Sequence, residues 1–166
     1  MEFVRGAALL AATGGMGLMA GVFALYANAI MPGLRNTDDR TFVAGFQSID
    51  RAIINPVFLA TFLGTLVATG VAMGLHLPAD HRSPLPWIVV AFALYLTVVV
   101  ITIAVHVPLN DAIKAAGLPD DITSLATIRA QFDEARWVRW NAVRTVLTIA
   151  AFGSLLGAVV EFGAHR

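Results

Sequence analysis

Cysteine is missing altogether from these 166 residues. Disulfide frameworks, zinc–thiolate sites, iron–sulfur clusters and cysteine nucleophiles are thereby excluded. Charge is scarce: 13% of residues are Asp, Glu, Lys or Arg, about half the share of a soluble domain. Neither sign is in excess. Eleven basic residues face eleven acidic ones, so the basic surplus of a nucleic-acid binder is absent. No Gly-rich phosphate loop precedes a helix, and no His-Glu-x-x-His occurs. What abounds is apolar. The chain is 58% hydrophobic, with mean hydropathy +0.76. An ordinary cytosolic domain and a disordered tail are both excluded, and the length suits one domain, 1–166.

The spacing of charges sets the architecture. There are 29 residues without Asp, Glu, Lys or Arg between Arg5 and Arg35, 28 from Ala52 to Ala79, 28 from Ser83 to Asn110 and 16 from Thr145 to Val160. A helix needs about 20 mostly apolar residues to cross a bilayer. A lone segment in lipid must also satisfy its own backbone groups, which requires a helix. The expectation is an all-α, integral-membrane four-helix bundle, multi-pass in the cell membrane, with spans at about 4–30, 55–76, 86–107 and 138–162. Ala27-Asn28-Ala29 resembles a signal cleavage site. However, the apolar stretch before it exceeds the roughly 7–15 residues of a signal core, so the segment reads as a span.

Four spans put both termini and the short turn 77–85 on one side, and the long connections 31–54 and 108–136 on the other. Lys and Arg are more numerous in the long connections, which slightly favours those inside. Both connections are expected to hold additional short helices. Asp38 or Asp39 caps one through Phe42, Phe46 and Ile49, and Pro56 opens the second span. Asp121 or Thr123 caps another, Leu125–Phe132, which runs on into the fourth span. The order span–long–span–short–span–long–span hints at two similar halves. Gly17/Gly21, Gly70/Gly74 and Gly153/Gly157 form Gly-x-x-x-Gly pairs. They serve packing inside the bundle or a homo-oligomer interface.

Two polar clusters lie where a bilayer penalises them, which makes them functional candidates. The first is Val105-His106-Val107-Pro108-Leu109-Asn110-Asp111. Pro108 is expected to break the third span there and turn Asn110 toward the bundle mouth. His106 titrates between pH 5 and 8, so it suits a base, an acid or a metal ligand. An interfacial histidine satisfied by a carbonyl or water is the plainer alternative. The second cluster is Arg136-Trp137-Val138-Arg139-Trp140-Asn141-Ala142-Val143-Arg144. Helical spacing puts Trp137, Trp140, Asn141 and Arg144 on one face. Such a face suits a flat, oxygenated aromatic ligand: indoles stack, the amide donates and accepts, and the guanidinium holds an oxyanion. A tryptophan belt with snorkelling arginines is the alternative. With 16 uncharged residues after it, Arg144 must sit near the hydrocarbon. Asp111, Asp133 and Glu134 are its candidate partners. Both clusters lie on the side of Tyr26, Asn28 and Gln47. His76, His81 and His165 lie on the opposite side from His106, which argues against a three-histidine metal site. A heme on one axial histidine stays open. Apart from Glu161 at the very end of the fourth, carboxylates are absent from the spans, which disfavours a proton-relay transporter.

In these residues the chain resembles the small four-span membrane proteins of the anthrone-oxygenase-like family, most of which are catalogued as a domain of unknown function. The matching pieces are Tyr26 with Met31-Pro32-Gly33-Leu34, Phe46-Gln47 and Pro56, Pro108-x-Asn110, and Trp137-x-Arg139-Trp140-Asn141-x-x-Arg144. Together they cover nearly the whole chain. The resemblance implies oxidation of an anthrone-like polycyclic aromatic to a quinone with dioxygen, as a cofactor-independent monooxygenase. An anthrone forms an electron-rich anion that can meet dioxygen without a metal. His106 would then be the base. Arg144 and Asn141 would hold the oxyanion. Asn110 would orient the substrate or His106, and Trp137 and Trp140 would stack on the rings. Arg139 would bind lipid phosphate or complete the oxyanion site, with Tyr26 and Gln47 nearby. The competing reading is a non-catalytic membrane protein that binds a quinone, a lipid or a heme, or a small subunit of a membrane complex. A transporter ranks last, because only Thr61, Thr65, Thr69, Thr97, Thr102, Thr148 and Ser154 offer a polar path.

Overall fold

Four helices carry the apolar stretches; the first, third and fourth run past their expected limits, and the second, Pro56–Leu75, falls just inside its own. The computed structural model describes residues 1–78, 82–120 and 122–164. Asp80 and His81 of the short turn, Asp121 and His165 lie outside these described residues. Helix α1 (Glu2–Leu25) passes through a π-helical turn, Tyr26–Ile30, into α2 (Met31–Arg35). Then come α3 (Asp39–Ile53), α4 (Pro56–Leu75) and α5 (Leu85–Ile101). A second π-turn, Thr102–His106, joins α5 to α6 (Val107–Ala115). Helices α7 (Leu125–Phe132) and α8 (Glu134–Ala164) complete the fold. No strand occurs among the described residues.

The candidate spans are Glu2–Arg35, Pro56–Leu75, Leu85–Ala115 and Leu125–Ala164. The chain is a multi-pass membrane protein. In the bundle, α1 packs on α4 and α8, and α5 packs on α8 and more thinly on α4. The 34-residue first helical stretch and the 31-residue third one are about 51 and 46 Å long at 1.5 Å per residue. The hydrocarbon is about 30 Å thick. Their excess length stands beyond it, on the side of the long connections, where the charges of α2 and α6 lie. Arg5 donates to the carbonyl of Leu75 at the opposite end. There too the Ser83 hydroxyl bonds Glu161, so termini and short turn share one side.

Pro108 does not break the third span. The helix continues through it because the preceding turn is π-helical: the Val107 N–H reaches the carbonyl of Thr102, five residues back. A proline lacks a donor and crowds the carbonyl four residues earlier. Here that carbonyl belongs to Ala104, inside the widened turn, where the ladder has already changed register. The first half repeats the device. Met31 N–H reaches Tyr26 O across five residues, and Pro32 follows.

Caps define the connecting helices. Asp38 caps α3 by accepting from the Thr41 N–H at 2.9 Å, and Asn55 caps α4 through Phe58. Ser124, rather than Thr123, caps α7 by accepting from the Thr127 N–H. Nor does α7 run unbroken into the fourth span. Asp133 takes a left-handed conformation (φ 51°, ψ 62°), and its carboxylate accepts from the Arg136 N–H to start α8.

Two apolar cores result. One fills the bundle, around Leu9, Met16, Phe62, Tyr95 and Leu155. The other caps its mouth, where Phe42 and Phe46 of α3 meet Ile113, Phe132 and Trp137. Arg129 ties the cap together: it bonds the carbonyls of Arg35 and Thr37, and pairs with Asp39 and Glu134. One glycine of each Gly-x-x-x-Gly pair meets a ring inside the bundle: Gly17 meets Phe152, Gly70 meets Phe92 and Gly157 meets Trp87. Gly21, Gly74 and Gly153 face outward with nothing near them. The tightest approach is at Gly15, outside all three pairs, where a Cβ would overlap the Thr65 hydroxyl.

Candidate functional site

A cavity of about 380 Å³ lies between the two cores. That volume falls within the range of small-molecule sites, about 300–1,000 Å³. Phe23 and Phe62 of the bundle and Phe46 and Trp137 of the cap form its walls. Its polar groups are few: Tyr26, Asp50, Thr102, His106, Asn110 and Arg144. Ile54, Leu59 and Leu63 on one side and Ile103 and Val107 on the other line it as well, and these five are exposed on the outside of the helices. There α4 packs along α5 and has at most sparse contact with the second π-turn and α6. The cavity therefore opens toward the lipid side of the bundle.

His106 ends the second π-turn and is buried, 2% exposed. Neither ring nitrogen has a hydrogen-bond partner among the described residues. Its ring stands edge-to-face with Trp137, centroids 5.0 Å apart at 81°. Tyr26 and Phe46 pack on the same indole at 5.7 and 5.9 Å. The Trp137 Nε1–H donates to Asn110 Oδ1 at 2.8 Å.

Arg144 is buried three residues beyond Asn141, just under one helix turn. Its Nη2 donates to Asn141 Oδ1 at 2.9 Å, and its Nη1 to Thr102 Oγ1 at 3.0 Å. Asn141 in turn donates to the carbonyl of Phe23 at 3.2 Å. The guanidinium lies 4.5 Å from the Phe23 ring and 5.8 Å from Trp137. Arg144 Nε has no hydrogen-bond partner among the described residues. None of the expected carboxylates reaches it. Asp111 pairs with Lys114, Asp133 caps α8, and Glu134 pairs with Arg35 and Arg129. The reason is rise along the helix: ten residues separate Glu134 from Arg144, about 15 Å.

The structure thus brings His106, Asn110, Trp137, Tyr26 and Arg144 to one cavity, with Asn141 behind Arg144. The other expected residues stand apart. Trp140 is half-buried and outside the cavity wall, and Arg139 is exposed. At 100° per residue Trp140 lies about 60° from Trp137, and Arg139 lies about 160° away. Gln47 is buried but acts as a strut: its Nε2 donates to the carbonyls of Ile113 and Gly117 at 2.7 and 3.0 Å. Asn28 is exposed.

One wall residue escaped the sequence reading. Asp50, on α3, is 4% exposed. Its Oδ1 accepts from Asn110 Nδ2 at 2.7 Å, and its Oδ2 lies 2.8 Å from Lys114 Nζ. In an amphipathic helix full of polar residues nothing singles out this acid. Its place in the buried stripe of Phe42, Val43 and Phe46 was the available signal. No group of three or more His, Asp or Glu suited to a metal occurs among the described residues. Thr61, Thr65, Thr69, Thr97, Thr102 and Thr148 each donate to the carbonyl four residues earlier, so they form no polar path.

A family model described as anthrone oxygenase matches residues 46–154, well over half of the chain. The match contains Asp50, His106, Asn110, Trp137, Asn141 and Arg144 but not Tyr26. No curated protein and no solved structure matches.

Proposed function

The chain belongs to the anthrone oxygenase family, and from that premise we propose that it is an oxygenase of the cell membrane that oxidises an anthrone-like polycyclic aromatic to a quinone with dioxygen. The observation that carries this reading is a pairing within one apolar cavity. A buried imidazole and a buried guanidinium line the same space, the first without a well-formed hydrogen bond and the second without a counter-ion among the described residues.

The chemistry follows from those two groups. His106 takes a proton from the methylene carbon flanked by the aromatic rings. The resulting carbanion is delocalised onto the ring carbonyl, whose oxygen becomes an oxyanion. Arg144, held in place by Thr102 and Asn141, stabilises that charge where water is scarce. The carbanion passes electrons to dioxygen, and a carbon–oxygen bond forms to give a peroxide. Loss of the second methylene proton and cleavage of the O–O bond yield the new carbonyl and water. One dioxygen is consumed per substrate, and all four electrons come from the CH₂ group. The balance closes without an added reductant, metal or heme. Trp137, Tyr26 and Phe23 supply the aromatic surface against which flat rings would lie.

Dioxygen uptake and quinone absorbance test the reading, on detergent-purified protein given an anthrone. His106→Ala is expected to lower turnover by about 10²–10⁴-fold, the usual worth of a general base. Arg144→Ala is expected to cost about 10²–10³-fold, as for loss of an oxyanion donor. Wild-type uptake no faster than the spontaneous rate would overturn the oxygenase reading. Saturable anthrone or quinone binding without turnover would instead favour a binding protein or subunit.

A further inference from the structure

Asp50 is the one carboxylate in the cavity wall among the described residues, and it starts a directed chain. Lys114 Nζ lies 2.8 Å from Asp50 Oδ2 as an ion pair, Asn110 Nδ2 donates to Asp50 Oδ1, and Trp137 Nε1 donates to Asn110 Oδ1. The chain ends on the imidazole of His106, which meets the Trp137 ring edge-to-face. Each link has a forced sense. An ammonium and an indole N–H only donate, and a carboxylate only accepts. The Asn110 amide, which alone would flip freely, is therefore fixed at both ends: its NH₂ toward Asp50, its oxygen toward Trp137. Tyr26 and Phe46 limit the tilt of the indole by packing. The bond to Asn110 adds a directional constraint on its rotation within the ring plane.

Neither His106 nitrogen makes a well-formed hydrogen bond among the described residues, and only backbone groups of Ile101 and Trp137 lie near its ring as looser polar neighbours. An ion pair between a buried Asp50 and a half-buried Lys114 is poor evidence of stability. A carboxylate in a cavity wall calls for a positional reason. We propose that Asp50, with its charge balanced by Lys114, is a positioning residue that orients His106 through Asn110 and Trp137. The kinetic half of this inference rests on the oxygenase reading; the orientation of Trp137 does not.

Asp50→Asn supplies the sharp test. With Lys114 in place, the new amide turns its oxygen to the ammonium and its NH₂ to Asn110. Asn110 must then flip, and its NH₂ faces the Trp137 N–H. Adding Lys114→Met frees the new amide to present its oxygen to Asn110 and restores the original sense. Trp87→Phe and Trp140→Phe leave Trp137 as the single tryptophan, so its near-ultraviolet circular dichroism reports how firmly the ring is fixed. In that background Asp50→Asn is expected to lose the band. It is also expected to lower kcat by about 10–100-fold, the order of cost when a reacting group is misplaced by an ångström, while KM changes little. The double variant Asp50→Asn/Lys114→Met is expected to recover both. A band and kcat unchanged in Asp50→Asn would overturn the proposal, as would a loss that the second substitution fails to reverse. The band is read without turnover. A wild-type protein that oxidises nothing sinks the oxygenase reading and leaves the band to decide this one.

Discussion

Arg144 shows what a single side chain can carry. A buried guanidinium without a counter-ion is expensive, and here two neutral oxygens and two aromatic rings offset only part of that cost. The remaining demand is for an anion, which a bound enolate meets. Its fork makes two directed bonds, and lysine cannot reproduce them. Arg144→Lys is expected to keep the charge yet lower turnover by at least about tenfold, since an oxyanion donor in the wrong place is nearly an absent one; dioxygen uptake checks this. That Arg144 sits near the hydrocarbon was legible, because the helix needs it to span with only 16 uncharged residues after it; whether it turned inward or snorkelled was not. Its partners were not, because they come from the tertiary fold: Thr102 on another helix and the Phe23 ring on a third. Gly15 makes the same point for packing. A Cβ there would overlap the Thr65 hydroxyl, whereas Gly14 is open. Gly15→Ala is expected to destabilise by about 1–3 kcal/mol through overpacking, and Gly14→Ala is not; thermal unfolding of the two variants in one detergent distinguishes them.

Among elements, the two π-turns do the positioning. Each lies just before an x-Pro step, and each presents cavity residues, Tyr26 and Ile30 from the first, Thr102 and His106 from the second. Proline in a helical pattern reads equally as a stop or as a continued helix with a local change of register. The outcome depends on neighbours that rehouse the freed carbonyl, which is why a break was expected at Pro108 and a through-helix is found. Pro108→Ala removes the reason for the wide turn. Relaxation to α-helical register would swing His106 out of line. The variant is expected to unfold at the same temperature or higher while turnover falls by about tenfold or more. Helix α3 carries a pH dependence of its own. The Thr41 N–H and hydroxyl hold the Asp38 carboxyl below its usual range. A depressed acid stabilises fully above its ordinary titration, near pH 4, and that contribution fades as pH falls through the lowered value. Asp38→Ala is therefore expected to be less stable than wild type at neutral pH, and the gap should close in acid; unfolding midpoints across pH 2–7, a range of roughly five units chosen to bracket that titration, follow it.

For the whole molecule, the spans and their sidedness were legible because lipid leaves a chain few choices: long charge-free stretches must be helices, and four of them return the termini to one side. The convergence of His106, Asn110, Trp137, Tyr26 and Arg144 was legible from topology, since all lie near the same mouth. Trp140 and Arg139 were not separable from them, because a helix face read from spacing is wider than a cavity wall. Asp50 was hidden because one acid in a polar helix resembles any other until α3 folds down. The cavity also has an open flank, between the start of α4 and the second π-turn, walled by exposed Ile54, Leu59, Leu63, Ile103 and Val107. Its doorway faces acyl chains, so the reservoir it samples is two-dimensional. The quantity governing encounter is then moles of aromatic per mole of lipid, not moles per litre. At fixed protein and substrate, adding inert lipid vesicles that fuse with the protein's own should slow oxidation in proportion to the dilution. Adding buffer instead should leave the rate per protein unchanged.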